Sequence, residues 1–228
     1  MKELKRALLL SDSNATDILN NIKDSFMYFE DTMYHGEYWE AVRSKNGDDR
    51  VYFHLKSHYL IKLKNIEFES LMISSKSAYS ITFKEDFFEK KINKNPDIIF
   101  LFFGMKDINY NLGKYGNVQD VVKKYIKKVL ETFDYKKIYI ITPKPPSKFL
   151  DQNGYNHEKR MINYKNFLNC LEKECQENNL KIIKFENFVT DAEELATFFN
   201  DGSVDPDHIG FKKYSKLVNH LIQLIEVV

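Results

Sequence analysis

The sequence predicts an α/β fold of three layers, with a five-stranded, mainly parallel sheet between helices and one small β-rich insertion. Three observations predict it. Short continuous apolar runs, such as Ala7–Leu10 and the Ile98–Phe103 part of Pro96–Phe103, suit strands buried on both faces, as parallel strands are. Amphipathic stretches with helical spacing alternate with those runs, as crossover connections require. The 228 residues are 43% apolar with only 8 Gly and 5 Pro. That is enough for one sizeable core, and the wrong composition for a fibrous, low-complexity or disordered chain.

The elements follow in order. Ala7–Leu10 is the first strand. Ser13 or Asn14 can cap the next helix, whose apolar face carries Ile18, Leu19, Ile22, Phe26 and Phe29. The polar-aromatic stretch 34–66 breaks the alternation. It reads as an insertion within a single domain spanning 1–228, with Val51–Leu55 and Tyr59–Leu63 as hairpin strands. Phe68–Ser74 is the second strand and Pro96–Phe103 the third. Asn117 is positioned to cap a helix with Val118, Val121, Val122, Tyr125 and Ile126 on one face and four lysines on the other. Lys137–Ile141 is the fourth strand, a helix covers Asn156–Glu177, and Leu180–Phe185 is the fifth strand. Leu217, Val218, Leu221, Ile222 and Ile225 mark a closing helix.

Composition narrows the partners. Lys+Arg 34 against Asp+Glu 33 gives a formal charge of +1, so no basic excess exists to neutralise a run of phosphates, and nucleic acid is not an expected partner. Cys170 and Cys175 make no disulfide framework or metal-ligand pair and are expected as reduced thiols. His35, His54, His58 and His157 share no ligand spacing, so no metal is expected. The first apolar run stops at Ser11, too short for a signal peptide, and no apolar window is long enough for a membrane span. The expected setting is cytoplasmic.

In parallel α/β sheets, ligands bind at the carboxyl ends of the strands. After strand one comes Ser11-Asp12-Ser13-Asn14. A serine there has its hydroxyl and N–H at the positive end of the helix dipole, or it is a plain helix cap. Before the closing helix comes Asp205-Pro206-Asp207-His208. His208 suits a general base and Asp205 suits the carboxylate that orients it. The alternative is a solvated loop with Asp207 as a cap. After strand three comes Gly104-Met105-Lys106-Asp107, and after strand four Thr142-Pro143-Lys144-Pro145-Pro146, which forces the chain out of the sheet. Lys144 and Lys148 suit contacts to an anionic substrate, or are loop lysines. Tyr34, Tyr38, Trp39 and Tyr79 offer faces for a sugar ring, or are the core of the insertion.

Taken in order, these segments resemble the SGNH/GDSL hydrolase superfamily. Its Gly-Asp-Ser block is represented by Ser11-Asp12-Ser13, its Gly-x-Asn-Asp block by Gly104-Met105-Lys106-Asp107, and its Asp-x-x-His block by Asp205–His208. The resemblance implies the flavodoxin-like three-layer sandwich of that fold. It implies Ser13 as nucleophile, His208 as base and Asp205 as the orienting acid. It also implies an oxyanion hole of three donors: the Ser13 N–H, an N–H after strand two, and the side chain of the third-block Asn. Two slots depart from the pattern. The stretch Ser74–Tyr79 has no glycine, leaving Ser75 as the donor there, and Lys106 stands in the Asn slot. With Gly104 and Asp12, these residues make up the expected oxyanion and substrate-binding set.

The implied activity is a serine-dependent acyl-ester hydrolase or O-acyltransferase acting on a carbohydrate. The departures are reminiscent of members that handle O-acetyl groups in surface-polysaccharide biosynthesis. No cofactor is implied, save acetyl-CoA as a donor in the transfer case, and the partner is a small-molecule or glycan substrate. The alternative is a non-catalytic glycan- or nucleotide-binding protein on the same fold, with the Ser13 helix terminus as an anion site. A flavodoxin-like cofactor binder is a third reading, and it leaves Asp205 and His208 unexplained. The insertion is expected to cap the site and supply aromatic contacts.

Overall fold

The structure, a computed structural model, describes residues 3–25, 30–33, 42–43, 49–50, 56–73, 77–81, 95–111, 116–146, 156–189, 196–198, 204–209 and 211–228. Strand β1 (Lys5–Ser11) lies at the centre of the sheet because its run Ala7–Ser11 is buried on both faces. Its side chains alternate. Ala7 and Leu9 face helices α1 (Ala15–Ser25) and α4 (Ser215–Val227), while Leu8 and Leu10 face α2 (Val118–Thr132) and α3 (His157–Glu177). Each fully buried leucine contributes roughly 1.5–3 kcal/mol over an exposed one, so this short run sets the register of the whole molecule.

The main sheet has strand order β2-β5-β6-β1-β7-β8-β9. Here β2 is Glu30–Met33, β5 Lys56–Leu63, β6 Ile66–Ile73, β7 Ile98–Phe102, β8 Ile138–Ile141 and β9 Lys181–Ile183. The five strands β6-β1-β7-β8-β9 are mutually parallel and correspond to those expected from sequence. Helices cover both faces, as the apolar alternation requires. Asn117 caps α2, its side-chain oxygen accepting from the Asp120 N–H at 2.9 Å. Asn156 does the same for α3 through the Lys159 N–H at 2.8 Å.

The sheet is wider than five strands. Strand β5 pairs antiparallel with β6, and β2 pairs antiparallel with β5. Tyr59–Leu63 therefore forms a hairpin with the second expected strand, while Val51–Leu55, its expected partner, lies outside the described residues. The cause is the two-residue turn Lys64-Asn65, where Lys64 adopts a left-handed φ of 49° and Leu63 pairs with Ile66. The second expected strand accordingly starts at Ile66. Two further two-residue strands, β3 (Val42–Arg43) and β4 (Asp49–Arg50), pair antiparallel. The described part of the insertion thus broadens one edge of the sheet. The remainder of 34–66, with its expected role as a cap, lies outside the described residues.

Asp205–His208 was expected in a turn before the closing helix. Backbone pairing places it instead in β11 (Val204–Ile209), antiparallel to β10 (Ala196–Phe198). Thr197 pairs with Asp205 and Ala196 with Ile209, so Pro206, Asp207 and His208 bulge out of the ladder. Pro206 has no N–H to give a ladder bond, which is the physical reason for a break there. A short 3-10 turn, Phe211–Tyr214, intervenes before α4, so Asp207 does not cap that helix.

Candidate active site

Three adjacent strands end level. In the parallel register, Ser11 of β1 lies beside Met72 of β6 on one side and Phe102 of β7 on the other. The Ser11 hydroxyl donates to the Phe102 carbonyl at 2.9 Å, fastening two of the three ends together. From this row, two residues lead to Ser13, three to Ser75 and four to Lys106. Ser13 and Lys106, two of the three expected oxyanion donors, therefore follow the ends of neighbouring strands.

The turn that presents Ser13 is shaped by Asp12. Its buried carboxylate accepts the Asn14 N–H at 3.0 Å and the Asn14 side-chain amide at 2.6 Å. The Ala15 N–H reaches the Asp12 carbonyl at 3.2 Å and starts α1. This is an Asx-type closure, so Asp12 supplies the side-chain oxygen that turns the chain into the helix. Asp12 and Asn14 are buried, while Ser13 between them is half-buried. A hydroxyl is thus presented at the amino end of a helix from a rigid, buried turn.

The segment after β7 is equally constrained. Gly104 has φ +126°, and a Cβ there would lie 2.9 Å from Phe167 Cε1 and 3.3 Å from Pro143 Cγ. Only glycine suits this conformation against this ring. The Gly104 carbonyl accepts the Ile108 N–H at 3.1 Å, opening a helical turn that runs into a π-helical turn, Asp107–Asn111. Lys106 is half-buried on that turn. Pro143 packs beside Gly104, and Lys144, which follows it, is buried with 2% exposure.

Asp107 was not singled out from sequence. It is fully buried and spans the gap between two loops. Its carboxylate accepts the Ala78 N–H at 2.6 Å and the Tyr79 N–H at 3.2 Å, so the loop after β7 holds the loop after β6. Burial, reinforced by the charge of Asp12, pushes its carboxyl up from the ordinary 3.8 to about 6, against the pull of the two amides. The only sequence signal was its place as the final residue of Gly104-Met105-Lys106-Asp107. Ser77 and Ser80 complete the turn, the Ser80 N–H donating to the Ser77 hydroxyl at 3.0 Å.

Ser75 and Lys148 lie outside the described residues, as do Tyr34, Tyr38 and Trp39. For Asp205 and His208 the structure gives backbone only. The turn Phe211–Tyr214, just beyond His208, packs against α1, the helix that Ser13 opens. Tyr214 anchors it, edge-on to Phe185 at 5.6 Å, and Phe185 stacks on Phe102 of β7 at 5.9 Å. Among the described residues no three His, Cys, Asp or Glu side chains converge as metal ligands. No described helix is long and apolar enough to cross a membrane.

No protein-family model matches the chain, and no curated protein matches it by sequence. Solved structures do match. A lipase/acylhydrolase from Enterococcus faecalis superposes with a TM-score of 0.58 at 13% identity, over 98% of this chain and 96% of the other. A GDSL-like lipase from Bacteroides thetaiotaomicron gives 0.56 at 14% identity, over 98% and 88%. Est24, a carbohydrate acetylesterase from Sinorhizobium meliloti, gives 0.55 at 11% identity, over 98% and 99%. With the strand order around β1 and the turn that presents Ser13, these likenesses give the chain an SGNH/GDSL hydrolase-like fold.

Proposed function

We propose that the chain is a serine-dependent esterase with Ser13, His208 and Asp205 as its triad. The observation that carries this reading is the placement of Ser13: half-buried, between the carboxyl end of the central strand and the amino end of α1, two residues beyond Ser11, which lies level with the ends of β6 and β7. In the proposed reaction Ser13 Oγ attacks the acyl carbonyl while His208 takes its proton and Asp205 holds the imidazole. The oxyanion is met by the Ser13 N–H, with the Ser75 N–H and the Lys106 ammonium as further donors. The alcohol leaves with the proton from His208, and water then cleaves the acyl-enzyme.

The substrate we favour is an O-acylated, in particular O-acetylated, carbohydrate of the surface-polysaccharide kind. Supporting this, a carbohydrate acetylesterase is among the structural likenesses. A sugar hydroxyl in place of water would make the same site an O-acetyltransferase, for which acetyl-CoA in a cytoplasmic setting is a suitable donor. A second reading rests on Lys106. A cation in the Asn slot also suits a non-catalytic site for an anionic glycan or nucleotide. Turnover of 4-nitrophenyl acetate by wild type and Ser13→Ala decides between them. The enzyme reading expects turnover that Ser13→Ala abolishes with no change in fold. Equal rates in the variant would remove Ser13 as nucleophile, and a wild type inert on every acyl ester offered would favour the binder.

A further inference from the structure

We propose that Lys128, on α2 and outside the triad, is a positioning residue that works with Asp107 as a two-sided clamp on the turn 77–81. The inference rests on the esterase reading above and adds residues that reading does not contain. The turn begins at Ser77, two residues along the chain from Ser75, the second donor of the proposed oxyanion hole. It has no glycine, and its backbone polar groups need partners on both sides.

Those partners come from two elements. On the amide side, Asp107 accepts from Ala78 at 2.6 Å and from Tyr79 at 3.2 Å. On the carbonyl side, the Lys128 ammonium donates to Tyr79 at 2.7 Å and to Ile81 at 2.5 Å. Lys124, one helical turn earlier, lies over the Tyr79 ring at 4.0 Å. Tyr79 is therefore gripped at its N–H, its carbonyl and its ring. A carboxylate and an ammonium on opposite sides of one peptide turn give charge-assisted bonds, the stronger kind. Other lysines of α2, such as Lys127, are exposed, whereas Lys128 is half-buried and bent back onto the turn.

The clamp has a titratable jaw. Asp107 can offer both carboxylate oxygens as acceptors only when ionised, and its carboxyl sits at about 6. The groups around it are Asp12 and the buried Tyr125 phenol, with Lys106 next to it in the chain and Lys128 and Lys124 facing the turn from α2. Below pH 6 the jaw loosens as Asp107 takes up a proton.

The test uses the full chain and 4-nitrophenyl acetate. Lys128→Met keeps the aliphatic stem and removes both bonds, and Lys128→Arg keeps the charge. Lys128→Met is expected to lower kcat by about 10-fold with KM and melting temperature nearly unchanged, and Lys128→Arg to recover most of it. Amide hydrogen exchange is expected to quicken about 10-fold across 77–81 in Lys128→Met, with β1 and β7 unaffected. The acid limb of kcat/KM is expected to be less steep by one proton in Asp107→Asn than in wild type. Unchanged kcat and exchange in Lys128→Met, or the same acid limb in Asp107→Asn, overturns the clamp. Turnover that survives Ser13→Ala defeats the esterase reading instead, and the exchange result then decides alone whether the clamp exists.

Discussion

Gly104→Ala is the sharpest test of how the loop after β7 is built. Two costs add. An L-residue at φ +126° carries strain of about 1–3 kcal/mol. The new Cβ would also lie 2.9 and 3.0 Å from two ring carbons of Phe167. That ring is fully buried, and overfilling a packed core costs about 1–3 kcal/mol. The sum is about 2–6 kcal/mol. For a chain of this size each kcal/mol lowers Tm by about 2–4 °C, so a mid-range loss of about 4 kcal/mol lowers it by roughly 8–16 °C. The assay is thermal unfolding followed by circular dichroism. The two costs are separable in a Phe167→Leu background, where the smaller side chain relieves the overlap. There Gly104→Ala should cost only the strain, about 1–3 kcal/mol. A Tm within 2 °C of wild type for the single variant would refute both the conformation and the packing assigned to Gly104.

Three further outcomes follow from the site. Asp107 favours the folded state fully below pH 3.8, because its carboxyl is raised on folding, and loses that contribution as pH rises through about 6. Relative to Asp107→Asn, wild-type stability by urea titration should therefore fall by about 3 kcal/mol between pH 3.5 and 6.5 and stay level above; a constant difference would contradict the shift. Lys106→Ala should lower turnover of neutral esters about 10²-fold if the ammonium meets the oxyanion, and Lys106→Asn should restore it; loss confined to anionic substrates would move Lys106 to substrate binding. Burial raises the Cys175 thiol to about 12 and also raises that of Cys170, so both should react slowly with a thiol reagent at pH 8 when folded and rapidly in denaturant; fast reaction of folded Cys175 would contradict its burial.

What was legible in the sequence was what depends on local apolar pattern. The runs that became β1 and β7 were readable because a strand covered on both faces has nowhere to place a polar residue. Asn117 was readable because capping is decided within four residues. The edge strands were harder. Lys56–Leu63 mixes Lys, Ser, His and Tyr with its apolar residues, and its partner was chosen by the Lys64-Asn65 turn, which carries no glycine to announce it. The bulge at Pro206–His208 followed from a pairing with β10, a partner no local pattern names. The place of Ser13, between a strand end and a helix start, was legible from the apolar run that stops at Ser11. Asp107 and Lys128 were not, because their partners are peptide groups 29 and 49 residues away, and sequence spacing does not record such contacts.

Active-site phosphonylation tests the central claim most directly. A fluorophosphonate ester reacts with a serine hydroxyl only when a base activates it and an oxyanion site receives the phosphoryl oxygen. The full chain, labelled and digested, is read by mass spectrometry. The account predicts one adduct, on the peptide carrying Ser13, absent in Ser13→Ala and reduced at least 10²-fold in rate in His208→Ala. An unlabelled wild-type chain, an adduct on another serine, or full-rate labelling of His208→Ala would contradict it.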